Sequence, residues 1–258
     1  MRRPAIVALA VLFALSMACA QQPSSRDVLY QTSTIGALLQ GVYDGRTTIG
    51  DLRAHGDLGL GTVNALDGEM VVLDGRFLTV DASGTVHELD DAAQTPFAAV
   101  TWFGADATQR VEDVPDLAAL ESLIERVLPT PNLCYAIRIT GRFDYVRTRS
   151  VPRQERPYPP LAEVVRDQPT FEFEQTTGTL VGFRLPAFVG GVNVPGYHLH
   201  FITGALDGGG HLLECRIDEA LIEIDYTEGL MLALPTTRDF YEWREAGEQE
   251  ATIEAVER

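Results

Sequence analysis

The chain has 258 residues, 45% of them hydrophobic, with a mean hydropathy of +0.00; that is enough for one large core or two compact ones and too apolar for a disordered chain. Its formal charge of −17 argues against nucleic acid and anionic membranes as partners. All twenty basic residues are arginine, so chemistry that depends on a lysine imine, including pyridoxal phosphate and Schiff-base decarboxylation, is excluded.

The amino terminus opens on Met1-Arg2-Arg3-Pro4, continues through an apolar run over 5–15 and ends in the small residues Ser16-Met17-Ala18-Cys19-Ala20. This reads as a secretory leader over 1–20, too short to remain as a membrane span. Two processing routes stay open. Ala18-Cys19-Ala20 fits cleavage after Ala20, while Leu15-Ser16-Met17-Ala18-Cys19 is an imperfect lipoprotein box that would place a lipid anchor on Cys19. Both predict an exported protein, periplasmic or extracellular. Cys134 and Cys215 each lie in an alternating apolar stretch and read as buried strand residues; export would permit a disulfide between them.

Beyond the leader, residues 33–43 carry apolar residues at helical spacing behind a capping hydroxyl and end at Asp44-Gly45. A second short helix is predicted over 48–55, stopped by Gly56, with His55 as a surface residue at its C-terminus. Three strands follow over 69–89, joined by the Asp74-Gly75 and Ser83-Gly84 turns, with His87 in the third. A strand over 97–103 comes next, then an amphipathic helix over 114–128 with Leu117, Leu120, Ile124 and Val127 on one face, and a long alternating strand or hairpin over 133–151. The proline-rich stretch 151–160 and a short helix over 161–166 read as a linker. After it the pattern is nearly all strand: 171–174, 178–185, the segment from Gly196, 212–217, 220–226 and 230–234.

The fold expected is mixed α/β (α+β) in two domains. A mixed β-sheet with flanking helices over 21–165 precedes a mostly antiparallel β-sheet or barrel over 166–258, which carries the metal site and a C-terminal tail.

Three of the five histidines fall within Gly196-Tyr-His-Leu-His-Phe201 and Gly209-Gly-His211. Alternation along a strand puts His198 and His200 on one face and Tyr197, Leu199 and Phe201 on the other. If Ile202 pairs with His211 across a turn made of Gly208-Gly209-Gly210, His211 joins that face, diagonal to His200. Three imidazoles leave a coordination position open, as a catalytic metal requires; spacing alone leaves zinc, iron, copper and manganese in play. Arg138, Arg142, Arg147, Arg149, Arg153 and Arg156 crowd one stretch of an acidic chain, and such a patch could hold a carboxylate or phosphate.

Several segments resemble the bacterial α-acetolactate decarboxylase family: Leu29-Tyr-Gln-Thr-Ser-Thr34, Ala37-Leu-Leu-Gln-Gly-Val-Tyr-Asp-Gly45, Gly59-Leu-Gly-Thr-Val-Asn-Ala-Leu-Asp-Gly-Glu69, Thr148-Arg-Ser-Val-Pro-Arg153, Pro157-Tyr-Pro-Pro160 and Asn193-Val-Pro-Gly-Tyr-His-Leu-His-Phe201 with the Gly-Gly-His ending at His211. The resemblance runs from about residue 29 to the end. It implies zinc held by His198, His200 and His211, a homodimer, substrate binding by Thr62 and Arg149, and catalytic roles for Arg149, Glu69 and a C-terminal glutamate. The last matches Glu257, with Glu254 as the alternative. The reaction implied is decarboxylation of the hydroxy-keto acid 2-acetolactate to (R)-acetoin and CO2, the metal serving as the Lewis-acid electron sink that a lysine-free chain needs. A zinc hydrolase and a non-catalytic metal-binding module are the alternatives.

Overall fold

The computed structural model describes residues 26–244 together with Ile253 and Val256. The expected leader and both C-terminal glutamates, Glu254 and Glu257, lie outside them. Among the described residues no helix is long and apolar enough to cross a membrane.

In chain order the elements are β1 (Val28–Thr32), α1 (Ile35–Leu39), β2 (Thr47–Thr48), α2 (Ile49–Arg53), β3 (Leu58–Thr62), β4 (Glu69–Leu73), β5 (Arg76–Val80), β6 (Val86–Glu88), β7 (Gln94–Thr95), β8 (Ala98–Thr101), β9 (Ala107–Val114), α3 (Leu117–Glu125), β10 (Cys134–Arg149), α4 (Leu161–Val164), β11 (Thr170–Leu185), β12 (Gly196–Thr203), β13 (Gly209–Thr227), β14 (Gly229–Ala233) and α5 (Arg238–Glu242). Local chemistry explains the starts and turns. Thr34 caps α1 by accepting from Ala37 N, Thr48 and Asp51 form a capping box on α2, and Asp116 caps α3. Asp74 (φ 49°) and Gly75 (φ 74°) supply the two left-handed residues of a tight hairpin turn.

The strands form a mixed α/β architecture of two main sheets. The first has seven strands in the order β14-β1-β8-β3-β4-β5-β6, antiparallel except for β1 with β14. The second is antiparallel in the order β10-β11-β12-β13-β9, and β10 also pairs with β13, so four of its strands close into a ring. The sheets face each other across a core that includes Leu58, Leu60 and Val71 from the first and Ala136, Val181 and Phe183 from the second. The outer face of the second sheet buries Leu120 and Ile124 of α3, and the outer face of the first buries Ile49 and Leu52 around α2.

Sheet membership crosses the expected boundary at 165/166. β10 belongs with β11 to β13, and β14 returns to the edge of the first sheet. The 151–169 connection leaves β10 after Arg149 and re-enters the same sheet at Thr170, paired with Arg149, so it is a cap on the fold and no linker. Other expectations shift for related reasons. The segments 171–174 and 178–185 are one strand, as are 212–217 and 220–226, because each pairs along the full length of β10. The helix expected over 114–128 starts only at Leu117, since residues up to Val114 are claimed by β9 pairing to β13, and Val127 is exposed. Cys134 packs between the sheets at the start of β10, whereas Cys215 lies opposite Val146 on the outer face; both are free thiols, so no disulfide joins them.

β-Bulges set which side chains face inward. On β10, Ile137, Ile139 and Phe143 pack on the outer face, yet so does Val146; the pairing skips Asp144, passing from Phe143↔Ile217 to Tyr145↔Arg216. That extra residue reverses the alternation and turns Arg149 toward the first sheet. On β13 the pairing skips Leu213, so Leu212 shares the outer face with Cys215 and Ile217, and His211 turns inward.

Gly210 has φ +128°, and a Cβ there would stand 2.3 Å from the carbonyl oxygen of Arg149; at Gly75 a Cβ would meet nothing within 4 Å. Gly75→Ala is therefore expected to cost about 1–2 kcal/mol from backbone strain alone, and Gly210→Ala more than about twice that because the β10–β13 ladder must part. Equal urea midpoints for the two variants would contradict this assignment.

Candidate metal centre and substrate pocket

Leu199 and Phe201 of β12 enter the outer core, so His198 and His200 face the first sheet, as alternation requires. His211 pairs directly with His200, Phe201 with Gly210 and Ile202 with Gly209. The expected partner of His211 was Ile202; the ladder is shifted by two residues, which preserves the face and brings His211 beside His200. The turn is built by residues 204–208, closed by Thr203 N donating to Gly208 O, and Gly209 and Gly210 are strand residues. The three rings form a near-equilateral triangle, with centroids 5.1, 5.1 and 5.3 Å apart. One ligand atom from each lies within 4.8 Å of the others.

Burial and hydrogen bonding prepare these rings for a cation. The Nδ1 of His200 lies 2.8 Å from the carbonyl oxygen of Met70 on β4. A carbonyl can only accept, so Nδ1 carries the proton and Nε2 presents its lone pair. That Nε2 is buried without a hydrogen-bond partner among the described residues, an arrangement a metal would satisfy. Desolvation, with Arg149 nearby, pushes the His198 pKa down to about 3. Desolvation first, then His198 and Arg149, also takes His200 well below its usual range. Neutral imidazoles are the metal-binding form.

The first sheet supplies the facing wall. Thr62 on β3 pairs with Glu69 on β4, and both share the face of Leu58, Leu60 and Val71. Between them Ala65 (φ 63°) and Leu66 (φ 54°) adopt left-handed backbone, a strained turn pinned by Ala65 N donating to Tyr43 O and Gln154 N to Ala65 O. Glu69 Oε2 stands 3.5 Å from His200 Nε2, and Glu69 Oε1 stands 4.0 Å from Arg149 Nη1. Thr62 donates its hydroxyl to Gly68 O, which leaves its oxygen as an acceptor toward the pocket. Arg149, 2% exposed, donates from Nη1 to Gln168 Oε1 and from Nη2 to Val256 O, both at 2.9 Å. These groups line one pocket whose remaining wall is apolar, made by Ile35, Leu38, Leu66, Phe97, Val151 and Leu161.

The expected arginine patch does not exist as a unit. Arg138 pairs with Glu223 and Asp74, Arg142 with Asp218 and Glu219, Arg147 with Glu214, Arg153 with Asp67, and Arg156 with Asp44 and Asp239. Of the six, Arg149 alone lines the pocket. Ion pairing disperses them: Arg138, Arg142 and Arg147 find carboxylates on β13 across the ladder. Met70 and Gln168 were missed as functional positions, since a backbone carbonyl and a neutral amide leave no signature in sequence. His55 stacks on Tyr30 with ring centroids 3.8 Å apart, and His87 pairs with Asp81; neither belongs to the site.

Fold and pocket together define a class: a mixed α/β protein with a buried three-histidine cluster that could hold a cation at the mouth of its inter-sheet core, flanked by a carboxylate and a guanidinium. The family model for alpha-acetolactate decarboxylase matches residues 29–244. An alpha-acetolactate decarboxylase of Methanosarcina mazei is 47% identical over 91% of this chain and 82% of its own length, and one of Methylococcus capsulatus is 45% identical over 89% and 88%. The crystal structure of the Bacillus subtilis strain 168 alpha-acetolactate decarboxylase superposes with a TM-score of 0.87 at 38% identity, covering 89% of this chain and 99% of that one. The chain belongs to the alpha-acetolactate decarboxylase family and is a carboxy-lyase.

Because the folded-state pKa of His198 lies below its unfolded value of ~6.5, the unfolded chain takes up the proton first as pH falls. The stability of metal-free protein is thus full above about pH 6.5 and drains away toward pH 3, by on the order of a few kcal/mol. Urea titrations of chelator-treated protein at pH 7 and pH 4.5 should show this loss, and His198→Gln should shrink it; an identical pH dependence in the variant would contradict the assignment.

Proposed function

We propose that this decarboxylase converts 2-acetolactate to (R)-acetoin and CO2 with zinc held by His198, His200 and His211. The observation that carries the reading is that His200 Nε2, Glu69 and Arg149 meet in one largely apolar pocket. Bound zinc would supply a Lewis acid for the electrons released as CO2 departs.

The chain's own residues do the rest. The buried Arg149 guanidinium receives the substrate carboxylate, a charge-assisted contact strengthened by low dielectric. The apolar wall accepts the two methyl groups and keeps bulk water from the reacting carbon. Thr62, with its proton committed to Gly68 O, accepts from the substrate hydroxyl. Glu69 stands between His200 and Arg149, where it can hold the hydroxyl proton and manage delivery of a proton to the carbon that loses CO2. Glu257 joins it in that role: it follows Val256, whose carbonyl Arg149 grips, and Val256 and Ile253 are buried against α1 and α4. Glu254 follows Ile253 and is the alternative.

We also propose export, with the leader removed after Ala20 or Cys19 lipidated, and a homodimer built on β14. This uncharged strand forms an edge of the first sheet, and Leu230, Met231 and Leu234 at its surface are exposed; a second copy would pair it and cover them. Met231→Lys should shift the sedimentation coefficient from dimer to monomer, and a wild type that already sediments as a monomer would end the idea.

Acetoin release from racemic acetolactate, with metal analysis in parallel, tests the catalytic reading. Wild type should turn over with about one zinc per chain, and His200→Ala should lose both metal and activity. Glu69→Gln should keep the metal while kcat falls by ~10²–10⁴. Equal rates from all three would sink the proposal.

A further inference from the structure

We propose that Gln168 is a positioning residue for Arg149, and that it does this work as a neutral amide because a carboxylate there would compete with the substrate. The inference rests on the decarboxylase reading above.

Gln168 ends the short 3-10 turn Val165–Asp167, two residues before Thr170 pairs with Arg149. Ser150 N donates to Pro169 O at 3.1 Å, so the backbone that immediately follows Gln168 is tied to the strand end that carries Arg149. From this place its Oε1 accepts from Arg149 Nη1 at 2.9 Å. A guanidinium can only donate, so the amide oxygen must face it. The other terminal nitrogen is held by Val256 O, also at 2.9 Å. Two fixed acceptors on different nitrogens define both the position and the roll of the guanidinium plane. A single acceptor would leave that plane free to rotate about the contact.

Arg138, Arg142, Arg147, Arg153 and Arg156 are all held by carboxylates. At Gln168 the partner is a neutral oxygen of similar reach. The amide orients Arg149 without adding a negative charge to a pocket that must admit an anionic substrate. Glutamate at 168 would keep the acceptor and the length, but its charge would sit at hydrogen-bond distance from the group that receives the substrate carboxylate.

The test compares steady-state acetoin formation by wild type, Gln168→Met and Gln168→Glu, with zinc content and melting temperature measured on each. Gln168→Met, which keeps the bulk and loses the acceptor, should lower kcat/KM by roughly tenfold with zinc unchanged. Gln168→Glu should raise KM by at least as much while kcat changes less than threefold. A purely structural role would instead be rescued by glutamate. Gln168→Met kinetics within twofold of wild type, or a wild-type KM in Gln168→Glu, would overturn the proposal. If Gln168→Met does not fold, Gln168→Asn, which withdraws the oxygen by one methylene, should show the same loss or overturn the idea by lacking it. An inactive wild type would instead indict the decarboxylase reading, so the two failures are distinguishable.

Discussion

The hydrogen bond from His200 Nδ1 to the carbonyl of Met70 joins the two sheets at the three-histidine cluster. It fixes a tautomer, so that Nε2 and no other atom of the ring can serve a cation. It also fixes a distance, because Met70 is the residue after Glu69 and both belong to β4. The His200 ring of one sheet and the Glu69 carboxylate of the other are thereby set in one frame. Everything else in the pocket is arranged around that junction: His198 and His211 by ladder register, Thr62 by its pairing with Glu69, Arg149 by the turn of β10.

Burial gives these contacts their strength and sets their cost. A guanidinium taken from water is destabilising unless its donors find oxygens, and Arg149 is met by Gln168, Val256 and, at longer range, Glu69. Surface pairs such as Arg153 with Asp67 are solvated on both sides and contribute little. The same separation of environments, through desolvation, holds His198 and His200 neutral. The pocket is thus a desolvated polar cluster inserted at the edge of an apolar core, and Ile35, Leu38, Leu161, Ile253 and Val256 pack together over it as an apolar cover.

Much of this was legible in the sequence for definite reasons. Alternation alone placed His198 and His200 together, and the Asp74-Gly75 turn and the capping hydroxyl ahead of the first helix announced their own conformations. The family motifs contained every residue that lines the polar side of the pocket. What could not be read was parity over long strands. Asp144 and Leu213 look like ordinary members of alternating runs, yet each is an extra residue, and without them Arg149 and His211 would point away from His200. The proline-rich stretch was misleading because proline marks the absence of regular pairing and says nothing about where the chain returns. Nor does a row of arginines reveal that half of them face carboxylates on a strand some seventy residues later.

The closed ring of β10, β11, β12 and β13 carries a consequence for how a cation would come and go. At His200 β12 is bonded on both sides, to β11 and β13, and at His211 β13 is bonded to β12 and β10; His198 is paired on the β11 side. Neither His200 nor His211 therefore lies on a free edge, so fraying, the cheapest way for a sheet to loosen its hold, is closed at two of the three rings. A cation that leaves these two rings in place would pass through the pocket mouth, and its lifetime would then be a property of the cap over the site more than of the strands beneath it.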